Sequence, residues 1–104
     1  MILNKFGWTF DIKTARKLAN APAIYMITTI ETPDDPLSIN LEDVKLTVPI
    51  AFTKKSDATK FVKEIVKHNA AAFTPDLRNK SINVAPVTSK QFQIHPYVAT
   101  ISKN

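Results

Sequence analysis

The sequence predicts one small α+β domain over residues 1–104, a mixed or antiparallel sheet with two helices packed against it, in the order α-β-β-α-β-β. Three observations lead there. An amphipathic stripe fills residues 56–69, an uncharged run rich in β-formers fills 23–32, and proline-marked apolar segments stand on either side. The chain has 104 residues, 44% of them hydrophobic, enough for one modest core.

The stripe carries the strongest signal. Ala58, Phe61, Val62, Ile65 and Val66 recur at helical spacing, while Lys60, Lys63, Glu64 and Lys67 take the other side. Thr53 or Ser56 supplies a hydroxyl to cap the start. Asp57 in the first turn and Lys67 and His68 in the last suit the helix dipole. Glu64 is spaced for weak ion pairs with Lys60 and Lys67. Each large side chain on the stripe is worth roughly 1.5–3 kcal/mol when buried, so Phe61 and Ile65 should tolerate change less than the lysines do.

The other elements follow in order. Leu3, Phe6, Trp8 and Phe10 suggest an edge strand or a packed arm, with Trp8 as a lid on the core. Residues 11–20 read as a short helix. Asp11 caps it, Ile12, Ala15, Leu18 and Ala19 form its stripe, and Asn20 and Pro22 end it, leaving Lys13, Arg16 and Lys17 in water. Residues 23–32 read as a central strand, because apolar groups occupy both of its faces and no proline interrupts its interior. Pro33-Asp34-Asp35-Pro36 is a turn.

Residues 41–52 hold one or two strands in which Val44, Leu46, Val48 and Ile50 alternate with polar or small neighbours. Pro49 there marks an edge, a bulge or a strand start. Residues 70–80 are a connector, with Phe73 tucked toward the core and a turn at Thr74-Pro75-Asp76. Residues 81–87 are a strand, 88–92 one helical turn or a loop, and 93–102 the last strand, where Pro96 again implies an edge or a bulge. The prolines limit edge pairing with other chains, although a homo-oligomer through the remaining free edge is open to the fold.

Composition removes several function classes. There is no cysteine, hence no disulfide framework, thiolate metal site or cysteine nucleophile. The single glycine, Gly7, rules out glycine-rich phosphate loops. No apolar run approaches a membrane span, and no membrane partner is expected. The first ten residues lack a small-residue cleavage site, so no signal peptide is read and a cytoplasmic location is expected.

The segment Thr47-Val48-Pro49-Ile50-Ala51-Phe52-Thr53, followed by Ala58 and Phe61, resembles a pattern in SseB-type N-terminal domains. There a strand with proline runs into Phe-Thr, a cap and a helix bearing Ala and Phe at matching offsets. The match covers about half the chain, with 23–32 as the preceding strand. It implies an α+β domain and carries over no catalytic residue.

No catalytic site, metal site or cofactor is expected. His68 and His95 lack carboxylates at metal-like spacing, and Asp34/Asp35 and Glu42/Asp43 sit in or near the turn-rich loop, solvated. Charge is the one lead. The net charge is +5, but residues 1–44 carry −2 and residues 45–104 carry +7. Lys54, Lys55, Lys60, Lys63 and Lys67 gather on the helix, and Arg78 and Lys80 follow it. Lysines attract phosphates without reading bases, so a nucleic-acid partner would be bound weakly and without sequence preference. The expectation is a non-catalytic module that binds protein, with nucleic acid as the alternative partner.

Overall fold

The central strands bury residues on both of their faces, and that sets the architecture. In the computed structural model, which describes residues 2–21, 23–41, 45–74 and 76–103, the elements are α1 (Ile2–Lys5), β1 (Trp8–Thr14), α2 (Ala15–Ala19), β2 (Tyr25–Thr29), β3 (Ser38–Leu41) and β4 (Leu46–Phe52). They continue with α3 (Lys55–Phe61), a π-helical turn (Val62–Val66), a 3-10 turn (Ala70–Ala72), β5 (Phe73–Thr74), β6 (Ile82–Pro86), α4 (Ser89–Ile94) and β7 (Tyr97–Lys103). The expectations placed on Pro22, Val44, Pro75 and the Glu42/Asp43 pair lie outside the described residues.

The strands form one mixed sheet in the order β1-β7-β4-β2-β6, with β3 and β5 attached beside β4. All pairings are antiparallel except β4 with β7. Ile27, Ile50, Phe52, Ala99 and Ile101 point to one face, where Ala58, Phe61, Ile65 and Val66 cover them together with Leu3 and Trp8. Met26, Ala51 and Val98 point to the other, under Ala15 and Leu18 of α2 and Phe92 of α4. A sheet covered on both faces explains why β2 is buried almost throughout, its two threonines included.

Phe61 is the hub of the larger core. Its ring lies 5.3 Å from Trp8 and 5.8 Å from Phe73, both edge-on, and 5.3 Å from Phe52 in a tilted pair. The expected stripe therefore holds: Ala58, Phe61, Ile65 and Val66 are buried and Val62 is half-buried.

Several local expectations are corrected. The described residues hold four α-helices, not two, and a strand and a short helix replace the helix expected over 11–20. Residues 11–14 continue β1 because β7 offers a ladder partner as far as Thr14↔Tyr97. Asp11 caps nothing and pairs with Lys13 at 2.9 Å. The helix after β4 begins at Lys55 behind Lys54, without a side-chain cap from Thr53 or Ser56. It loosens into the π turn, with Lys67 N–H bonding to the Val62 carbonyl at 3.3 Å.

Pro49 lies in the middle of the sheet. It faces Ser38 across the β3–β4 ladder, and the next residue, Ile50, donates to Leu37 at 3.1 Å. Antiparallel bonding alternates, so Pro49's nitrogen points away from β3, toward the side where the parallel ladder starts only at Ile50. The missing donor falls where β4 changes partners. Pro96 likewise precedes a central strand, and its carbonyl accepts from Ala15 N–H at 2.9 Å.

Candidate functional site

The seven basic residues marked by the sequence are all exposed. Lys54 and Lys55 stand at the start of α3. Lys60 and Lys63 lie farther along the helical segment, and Lys67 lies in the turn behind it. The fold brings three of the seven together: Lys67, Arg78 and Lys80 line a groove of about 500 Å³ with Val62, Leu77 and Ile82. Lys67 and Arg78 also line an adjoining groove of about 710 Å³ with His68, Phe73 and Asp76.

Arg78 is engaged. Its Nη2 bonds to Asp76 Oδ2 at 2.8 Å and its Nε to both carboxylate oxygens at 3.2 and 3.3 Å, while its backbone N–H adds a bond to Oδ1 at 3.1 Å. The Arg78 side chain holds the Asp76 carboxyl down to about 2, and Asp76 in turn raises the guanidinium. Much of the Arg78 charge is thereby spoken for, leaving Lys67 and Lys80 to set the potential of the groove.

Glu64 bonds neither to Lys60 nor to Lys67. One of its oxygens accepts from Lys103 Nζ at 2.8 Å and from Trp8 Nε1 at 3.0 Å. The hydrogen bond from Lys103 lowers the pKa of the Glu64 carboxyl, helped by Trp8 and opposed by desolvation. Beside this network lies a depression lined by Phe6, Lys63 and His68. No group of three His, Asp or Glu side chains is placed to hold a metal ion among the described residues. Asp34 and Asp35 are exposed, with Asp35 N–H bonded to the Thr32 carbonyl at 3.1 Å.

A second surface escaped the sequence reading. Where α2 and α4 meet, Arg16, Ala19, Ser89, Phe92, Gln93 and Pro96 line a groove of about 460 Å³. Ala19 and Phe92 also border a hollow of about 370 Å³ with Leu18, Ile24, Tyr25, Pro86 and Val87. Next along the chain are Ile94, 60% exposed, and Tyr97, 50% exposed. The helix α4 that forms one wall is held by a capping box: Thr88 N–H donates to Gln91 Oε1 at 2.9 Å and Gln91 N–H to Thr88 Oγ1 at 3.4 Å.

The available signal was charge. Residues 12–30 and 77–104 contain no Asp or Glu, whereas Lys13, Arg16, Lys17 and Lys90 fall within them. No helix among the described residues is long and apolar enough to cross a membrane. Comparison with protein-family models, curated proteins and solved structures finds no match to this chain.

Proposed function

We propose that this chain is a non-catalytic protein-interaction module that docks an acidic, apolar-anchored peptide segment in the groove between α2 and α4. The observation that carries the reading is an apolar, aromatic-lined groove with Arg16 on its wall and Lys17 and Lys90 exposed on the same two helices. Apolar walls favour aliphatic or aromatic anchors, and cations on stretches of chain that hold no Asp or Glu favour an acidic flank. The resemblance of residues 47–61 to SseB-type N-terminal domains fits an accessory role of this kind.

Selection from a random peptide library tests it. The expected binders combine acidic residues with an aromatic or large aliphatic one, and they lose affinity to Arg16→Glu and Phe92→Ala. Binders that are basic, or that bind both variants equally, refute the reading.

A second reading rests on Lys67, Arg78 and Lys80 sharing one groove. It makes the protein a weak, sequence-indifferent binder of nucleic acid. Anisotropy of labelled single-stranded RNA and DNA should then fall steeply with salt, and Lys67→Glu with Lys80→Glu should abolish binding while Lys54→Glu with Lys55→Glu weakens it less. Salt-independent binding, or equal loss from both pairs of changes, counts against this site.

A further inference from the structure

We propose that the free edge of β1 is a self-complementary interface, on which a second copy of the chain pairs its own β1 antiparallel about a two-fold axis at Ile12. This goes beyond the peptide-docking reading and uses a different surface.

β1 is the outermost strand of the sheet, paired on its inner side with β7 from Trp8↔Lys103 to Thr14↔Tyr97 without a bulge. The Ala15 N–H bond to Pro96 continues that register by one residue and sets its phase. Bonding alternates along an antiparallel strand, so residues 9, 11 and 13 turn their backbone groups to β7 and residues 10, 12 and 14 turn theirs outward. Among the described residues, the one use of that outer edge is at its end, where the Thr14 carbonyl, as N-cap of α2, accepts the first bond of that helix.

The usual protections are missing. β1 holds no proline and no glycine, whereas the opposite edge strand, β6, ends in Pro86. β1 does carry charge: Asp11 and Lys13, two residues apart on one face, with side chains 66% and 47% exposed. Unlike charges at that spacing do not repel a copy of themselves. A two-fold at Ile12 sets Asp11 opposite Lys13 of the second copy, twice over. A two-fold at Asp11 would oppose two carboxylates, and one at Lys13 two ammonium groups.

The Ile12 register also agrees with the phase of the ladder. Ile12 faces Ile12, and Phe10 faces Thr14, through outward backbone groups, giving about four hydrogen bonds, since the Thr14 carbonyls are taken by α2. Asp11 and Lys13 then fall at the non-bonded positions, where cross-strand side chains come closest. Strand pairing alone buries less than the roughly 1,200 Å² of a stable interface, so the dimer is weak and concentration-dependent.

Sedimentation velocity on the full chain, from micromolar to millimolar concentration, tests this. The mean mass should rise toward that of a dimer. Asp11→Lys and Lys13→Asp should each weaken association roughly tenfold, and the double exchange D11K/K13D should restore it. Amide exchange provides a readout that does not depend on any variant folding: Ile12 and Thr14 should gain protection with concentration, and Thr9, Asp11 and Lys13 should not. A monomer at millimolar concentration, a dimer indifferent to both single exchanges, or protection gained at the odd positions overturns the proposal.

Discussion

The indole N–H of Trp8 donates to the carboxylate of Glu64 across 56 positions of sequence, at 3.0 Å. Trp8 is also the cross-strand partner of Lys103, whose ammonium lies 5.0 Å from the indole ring centroid and bonds to the same carboxylate oxygen. That ammonium also donates to the Phe6 carbonyl at 2.7 Å. One carboxylate thus ties the first strand, the helical segment and the last strand together.

Acid should loosen this tie. The Glu64 carboxyl is held below its ordinary 4.5 by Lys103, so the folded state favours its charged form. That stabilisation is present above the unfolded pKa and is lost as pH falls through the lowered folded value. Asp76, held at about 2 by Arg78 against an ordinary 3.8, acts in the same sense at lower pH. Glu64→Gln should melt below the wild type near neutrality, and the two melting curves should converge at the acid end of a pH series.

Phe61 and Lys60 are neighbours with opposite fates. Phe61→Ala removes the ring shared by Trp8, Phe52 and Phe73 and should cost about 3–5 kcal/mol in urea unfolding. The exposed Lys60→Ala should change stability by no more than about 0.5 kcal/mol.

Backbone sign should decide two substitutions. Gly7 sits at φ +79° in the turn before β1, where an added Cβ meets nothing within 4 Å, so Gly7→Ala should cost about 1 kcal/mol from conformation alone. Ala23 already occupies φ +49°, and Ala23→Gly should gain about 0.5 kcal/mol, the left-handed cost relieved less the added freedom of the unfolded chain. Thermal melts of the two variants should move in opposite directions.

The capping box should be worth measuring by itself. Thr88→Ala removes the acceptor for Gln91 N–H and should lower stability by about 1 kcal/mol, with amide exchange at the start of α4 rising ahead of the rest of the chain.

Periodicity within one element was enough to place Phe61, Ile65 and Val66 inside, the lysines outside and β2 in the middle of a sheet, because burial repeats at the spacing of the element itself. Partners distant in sequence decided the rest. Residues 11–14 satisfy a helical stripe as well as a strand, and it is β7, more than eighty residues later, that draws them into the sheet. Glu64 has lysines one turn away on either side, yet it bonds to Lys103 and Trp8 because the sheet carries both beneath it. Pro49 reads as the mark of an edge, a bulge or a strand start, but a strand that changes neighbours midway can carry it at the centre. Local sequence sets which face of an element is apolar, and only the assembled sheet sets which groups meet across it.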